Sequence, residues 1–431
     1  MADSKIFKMI EAEKTRQITG LEMIPSENYV SKNVLKALGS ILTNKYSEGF
    51  PHARYYGGNE VIDKIEDYTR ELANKAFGTK HAIVQSYSGS PANFAIYAAL
   101  LNPGDKVMGL SLSSGGHLTH GSVASFTGKW FKAIQYEVEP NGKIDMKKVQ
   151  ALARRHKPKL IWCGFTAYPY IIDWAGFSKI AKEVGAYLAA DISHISGLII
   201  GGAHPSPVPF AHVIMTTTHK TLRGPRGAMI LVTEKGLKKD PELATKLEKA
   251  VFPGLQGGPH NHQTAAIAIA LEEALKPTFK TYANQIVKNS KVLAKELDSK
   301  SENHLLLIDL SYLGYGLGYQ ASAAMDVAGI TLNKNTVPGE KVSPFYPSGI
   351  RLGTPALTSR GMKEKDMVKV AGFIKRVLAI VKDYPLPKEQ ADRKEFLKDV
   401  KKKFAKNPEL LKIRKEVEKF SKKFPMPGVS K

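Results

Sequence analysis

Short apolar runs alternate with helical patterns through the middle of this 431-residue chain, and that alternation limits the folds open to it. Strand-like runs stand at His81–Ser86, Lys106–Leu112, Leu160–Phe165, Tyr187–Ile192, His212–Thr218 and Ala228–Val232. Helical spacing fills several of the gaps, at Val61–Phe77, Ala92–Leu101, Met146–Arg155 and Gly176–Val184. Buried strands joined through helices make right-handed βαβ units, so the fold class is α/β, a mainly parallel sheet sandwiched by helices. An N-terminal helical arm is expected over 1–45, with helices near Ile6–Ile18 and Asn33–Leu42, and the sheet domain over 46–274. A smaller C-terminal α+β domain is expected over 275–431. A long helical region, Gln263–Leu297, leads into it. A strand at Leu305–Leu310, a helix at Ser322–Ala328, a loop from Asn333 to Ser348 and C-terminal helices follow.

Composition narrows the function classes. The single cysteine excludes an intramolecular disulfide and any multi-cysteine metal site, and no metal ligand set is expected. Cys163 lies in the apolar run Leu160–Phe165 and reads as a buried strand residue, not a nucleophile. No stretch of 18 apolar residues is present, which removes a spanning helix. Met1–Arg16 is charged throughout and lacks an apolar core followed by a small-residue cleavage site, so a secretory signal is not expected and the location reads as cytoplasmic. The formal charge of +23 comes from 63 basic and 40 acidic residues. Arginine, the better reader of bases and bidentate partner of phosphate, supplies little of it, which argues against nucleic acid as the main partner. The basic C-terminus from Lys388 also carries Phe396, Val400, Phe404, Leu410, Leu411, Ile413, Val417 and Phe420 at helical spacing. It therefore reads as amphipathic helices with a solvated lysine face.

In an open parallel sheet, ligands bind beyond the carboxyl ends of the strands. After the first predicted strand comes Ser86-Tyr87-Ser88-Gly89-Ser90, directly before a helix, where hydroxyls and exposed N–H groups can cup a phosphate. An ordinary serine N-cap would look the same. Asp191 ends the fourth run, with His194 three residues on. Beyond the fifth stands Thr216-Thr217-Thr218-His219-Lys220-Thr221, then Gly224-Pro225-Arg226-Gly227. A desolvated lysine at such a mouth can form a Schiff base. Lysine, carboxylate and phosphate cup together meet the needs of pyridoxal 5'-phosphate: an amine for the aldehyde, an acid for the pyridine nitrogen and donors for the phosphate.

The chain then resembles serine hydroxymethyltransferase, a family of pyridoxal-phosphate enzymes with the aspartate-aminotransferase-like fold, from about Leu21 to Tyr384. The resemblance is carried by Ser26-Glu27-Asn28, Thr43–Gly49, Arg54-Tyr-Tyr-Gly-Gly58, Gly115–Ser122, Thr216–Thr221, Phe252-Pro-Gly254 with Gln256–Pro259, Asn333-Lys-Asn335 and Ser348–Pro355. It implies that Lys220 holds the cofactor, that Asp191 pairs with the pyridine nitrogen, and that His117 stacks on the ring with His194 nearby. Ser88, Gly89, Ser90 and His219 would bind the phosphate, joined by Tyr46 and Gly258 of a neighbouring subunit. Arg351 would clamp the substrate carboxylate and Ser26 assist there. Glu48 would handle protons near the substrate hydroxyl, and Tyr55, Leu112, Gly116, Leu118 and Asn335 would form the folate surface. Some positions depart from the usual pattern: Pro25 for alanine, Ser86-Tyr87 for proline-histidine, Pro91 for glutamine, Thr166 for serine, and Asn261-His262-Gln263 for a more apolar run. None removes a catalytic group.

The resemblance implies reversible conversion of serine and tetrahydrofolate, or a modified pterin, to glycine and the methylene carrier, in a homodimer or homotetramer. The alternative on this scaffold is a folate-independent aldolase for threonine-like β-hydroxy amino acids. It shares everything except the acceptor site, so the presence of Glu48 and Tyr55 favours the transferase. A third reading, an RNA-binding or scaffold protein using the basic C-terminus, predicts steeply salt-dependent binding that survives loss of Lys220.

Overall fold

The computed structural model describes residues 4–429 and divides into two compact units. One is Val30–Asn284; the other combines the chain up to Tyr29 with everything from Gln285 onward. The division differs from the three segments expected above because Leu21–Glu22 pairs in parallel with Ile330–Thr331, which enrols the first residues in the C-terminal unit. The expected segments also reach residues 1–3 and 430–431, which lie outside the described residues.

The unit Val30–Asn284 is built on seven strands: β1 (His81–Ser86), β2 (Lys106–Leu110), β3 (Lys132–Tyr136), β4 (Leu160–Cys163), β5 (Tyr187–Asp191), β6 (Val213–Thr217) and β7 (Ala228–Val232). Their order across the sheet is β1-β7-β6-β5-β4-β2-β3. All pairings are parallel except those of β7, which runs antiparallel to both β6 and β1. Every residue of β4, β6 and β7 is buried, as expected of strands covered on both faces. One core packs Ile83, Val107, Leu160, Trp162, Val213 and Ile230 against Ala92, Ile96 and Tyr97 of the helix Gly89–Leu100. Cys163 is wholly buried in β4, and burial pushes its thiol pKa up, away from reactivity. Strand β3 is an edge strand reading Lys-Ala-Ile-Gln-Tyr; it lacks a continuous apolar run and escapes a search for one. The expected helical region Gln263–Leu297 is two helices, Asn261–Ala274 and Pro277–Glu296, because Pro277 supplies no N–H to continue the first and suits the start of the second.

The other unit holds a three-stranded antiparallel sheet of β8 (Leu305–Asp309), β9 (Asn333–Asn335) and β10 (Gly349–Gly353), with β10 central. Strand β9 occupies the start of what reads as a loop in the sequence. The helices Glu364–Val381, Gln390–Ala405 and Pro408–Ser421 bury Val377, Val400, Phe404, Leu410, Ile413, Val417 and Phe420 in one core with Leu21 and Met23. Arg360, 1% exposed, joins the two ends of the chain. Its guanidinium donates to the carbonyls of Gln17, Ile18 and Gly20 at the end of the helix Lys5–Thr19, and to those of Ser421 and Phe424 at the end of Pro408–Ser421. The last carbonyls of a helix lack intrahelical donors and carry partial negative charge, so one cation satisfies both ends.

Candidate functional site

Asp191 closes β5 and is the hub of the site. Its Oδ2 accepts the Asn93 amide at 3.1 Å and faces His120 Nε2 at 3.2 Å, while Oδ1 accepts the Ser193 backbone N–H at 3.0 Å. Burial would raise the carboxyl pKa. The His120 hydrogen bond, with the charges of His120 and Lys220, outweighs that and holds it well below the usual carboxylate range. Gly164, at the end of β4, has φ +105°, and a Cβ there would sit 1.9 Å from the Asp191 carbonyl, so only glycine lets the two strand ends approach.

His120 is 1% exposed and stacks on Trp162, with ring centroids 4.8 Å apart and planes 9° apart. His117 Nδ1 lies 2.7 Å from Thr119 Oγ1, which accepts from Asn93 at 2.8 Å. Burial, then the charges of His120 and Lys220, push the His117 pKa down to about 4, so its ring is neutral at physiological pH. Lys220, 8% exposed, lines the same recess at the strand ends as His117, His120, Asp191, Phe165 and Met215. The helix Gly89–Leu100 starts there: Gly89 lines the recess, and a Cβ on it would meet Thr217 Cγ2 at 2.7 Å. Ser88 is its N-cap residue, but the Ser88 hydroxyl makes no cap hydrogen bond, so the first N–H groups of the helix are not consumed by it.

A second cluster surrounds Glu48. Tyr46 donates from its hydroxyl to Glu48 Oε1 at 2.9 Å, and this bond raises the tyrosine pKa. The Tyr46 ring lies against Gly258, where a Cβ would come within 3.0 Å of it, and Glu48 Oε1 lies 3.2 Å from a Cβ built on Gly257. Tyr87 donates to the Gly258 carbonyl at 2.7 Å and stacks on His260, centroids 4.2 Å apart.

A family model of serine hydroxymethyltransferase matches residues 1–374. The chain belongs to the serine hydroxymethyltransferase family. Among its relatives are proteins of that name from Acidothermus cellulolyticus, 56% identical over 388 residues (88% of this chain, 89% of that one), and Sorangium cellulosum, 52% identical over 390 residues (88% and 90%). Another, from Desulfotalea psychrophila, is 47% identical over 435 residues (99% and 95%).

The recess fits the cofactor that serine hydroxymethyltransferases imply. An amine, a carboxylate and a neutral flat ring line one cavity, and Thr217 Oγ1 and His219 Nδ1 are buried without a hydrogen-bond partner among the described residues. Burial, then the charges of Lys220 and Arg226, push the His219 pKa down to about 3. Of the residues named from the sequence, Lys220, Asp191, His117, His194 and Gly89 line the recess; Ser88, Ser90 and His219 adjoin lining residues in sequence. Tyr46, Glu48 and Gly258 do not line it and form the second cluster. Tyr55 is 71% exposed with its ring edge-on to Phe252, and Leu112 and Leu118 are about half exposed, flanking the Gly116 turn. Ser26, Asn335 and Arg351 belong to the other unit. There Arg351, on β10, is 8% exposed and bonds Asn333 Oδ1 through Nε; burial lowers its pKa to about 10, leaving it cationic at neutral pH. Sequence reasoning missed His120, Asn93 and Trp162. The signal for His120 lay in His117-Leu-Thr-His120, where both histidines share one turn; nothing in the sequence marks Asn93 among ordinary helix residues.

Proposed function

We propose that this chain interconverts serine and glycine on pyridoxal phosphate, with a reduced folate as the one-carbon carrier. The observation that carries the reading is the convergence of Lys220, Asp191 and His117 on one recess at the carboxyl ends of a parallel sheet. The cofactor, when bound, supplies an aldehyde for the amino acid and an electron-withdrawing ring beside the bond that breaks. Asp191, held ionised by His120 and Asn93, keeps a proton on the pyridine nitrogen. The neutral His117 ring would offer the cofactor a flat face, and the Lys220 amine would hold its aldehyde. The open start of the helix Gly89–Leu100, with Ser88, Ser90 and His219, receives the phosphate.

Arg351 holds the substrate carboxylate, and Ser26 acts at the same end. Glu48 handles the protons exchanged as the one-carbon unit passes between the substrate and the carrier, with Tyr46 bonded to its carboxylate. Tyr55, Leu112 and Leu118 present apolar surface to a pterin ring beside Gly116 and Asn335. Tyr46 and Gly258 serve the phosphate of a neighbouring subunit in a cytoplasmic homodimer. The helix Lys5–Thr19 supports a covering partner: none of its side chains is fully buried, and Ile6, Phe7, Met9 and Ile10 are about half exposed. Among the described residues, no helix is long and apolar enough to cross a membrane.

The test is an absorbance spectrum of the cofactor-loaded protein, first with glycine and then with tetrahydrofolate added. A long-wavelength band that grows only when both are present supports the reading. A coloured protein indifferent to folate favours the aldolase, and a protein that takes up no cofactor overturns both.

A further inference from the structure

The run Asn261-His262-Gln263 opens the helix Asn261–Ala274 and carries a side chain with a specific task. Asn261 is 3% exposed, yet both ends of its amide are engaged. Its Oδ1 accepts the Ser47 hydroxyl at 2.7 Å, and its Nδ2 donates to the Lys45 carbonyl at 2.7 Å. These two contacts bracket Tyr46 and immediately precede Glu48. The loop is also held by Arg54, which donates to the carbonyls of Ser47 at 3.0 Å and Gly49 at 2.7 Å, and by the Tyr55 N–H on the Glu48 carbonyl at 3.0 Å. Arg54 is in turn fixed by Asp63 and Glu66.

The backbone carrying Glu48 is therefore tied down, and the carboxylate keeps only its side-chain torsions, themselves limited by the Tyr46 hydroxyl. An apolar residue at 261 would leave the buried Ser47 hydroxyl and the Lys45 carbonyl without these partners, and the loop would shift to find others.

We propose that Asn261 is a positioning residue for the Glu48 carboxylate, acting through Ser47 and Lys45. The proposal rests on the reading of Glu48 as the group that handles protons in transfer to the carrier. A carboxylate displaced by a fraction of an ångström loses proton transfer in the carrier-dependent reaction, while Lys220, Asp191 and His117, which line the recess outside this loop, keep their places.

The experiment compares Asn261→Leu, Glu48→Gln and the double variant as cofactor-loaded proteins. It measures folate-dependent serine turnover, folate-independent cleavage of threonine, calorimetric folate affinity of the glycine-saturated protein, and melting temperature. Asn261→Leu is expected to lower folate-dependent kcat about tenfold or more, with threonine cleavage within about twofold, and to cost nothing further in the Glu48→Gln background. Equal losses in both reactions, or an undiminished loss in the Glu48→Gln background, would reduce Asn261 to a structural role and overturn the proposal. Should Asn261→Leu fail to fold, Ser47→Ala removes half the clamp, and a folded Ser47→Ala with both reactions unchanged overturns it as well. A Glu48→Gln protein with full folate-dependent activity defeats the reading of Glu48. Loss of activity in Glu48→Gln beside a silent Asn261→Leu defeats the role of Asn261 alone.

Discussion

The recess around Asp191 and the loop around Glu48 both present a carboxylate, but they hold it by opposite means. Asp191 ends a buried strand; its position follows from the sheet, its charge from His120, and its surroundings are closed enough to push the His117 pKa to about 4. Glu48 sits on a half-buried loop whose two-residue strands, Gly49–Phe50 and Ala53–Arg54, give little regular pairing. Side-chain bonds to its carbonyls replace a ladder. On the proposed function, the difference teaches where each part of the chemistry would be secured: groups needed for any reaction of the bound amino acid by the fold, and the group that serves the carrier by a few replaceable side chains.

Substitutions test that contrast, and the largest effect is expected at Lys220. Lys220→Ala should abolish both serine turnover and threonine cleavage, by about a thousandfold or more, with no imine-type absorbance on adding cofactor. A coloured, active Lys220→Ala protein would remove the recess from the chemistry.

Asp191→Asn and Glu48→Gln should then part company. The first is expected to lower both reactions by roughly 10²–10⁴-fold, and the second chiefly the folate-dependent one, by about 10²-fold. Parallel losses in steady-state assays of the two reactions would erase the distinction between fold-fixed and loop-fixed groups.

A smaller effect is expected from acid. The pKa values of His117 and His212 are about 4 and that of His219 about 3 in the folded chain, all depressed first by burial, against about 6.5 when unfolded. The unfolded chain therefore binds more protons between pH 6.5 and 4, and stability falls as pH drops through that window. Denaturant midpoints of the apoprotein at pH 7 and 5 should show it, and replacing His117 by Asn should flatten the slope. The smallest effect is expected at Cys163: a thiol alkylating agent should leave native protein unmodified and fully active, as read by mass spectrometry and turnover, until denaturant opens β4.

Much of the fold is legible in the sequence because the six continuous apolar runs are strands buried on both faces, and each appears within a few residues of its expected place. Strand β3 was not legible, since an edge strand needs no such run, and the reversed direction of β7 has no local signature. For the site, Lys220, Asp191 and His117 could be named because motif and strand-end position coincide. His120 and Asn93 act on Asp191 across the fold, from 71 and 98 residues away in sequence, and only tertiary structure reveals such partners. Asn261 reads in the sequence as an ordinary polar residue after a turn, and its purpose lies in the loop it binds.

The pairing of Leu21 with Ile330, and the Arg360 clasp on carbonyls from both ends, bear on how the molecule is made. On the ribosome, Val30–Asn284 has all seven strands of its main sheet once Val232 has emerged, and none of them pairs with a later segment. The opening residues have no such liberty. Leu21 and Met23, fully covered in the finished protein, must wait for a strand and an arginine that are translated near the end. Until then Leu21 and Met23 lack the partners that cover them, and this is the stretch that chaperones would be called on to shield.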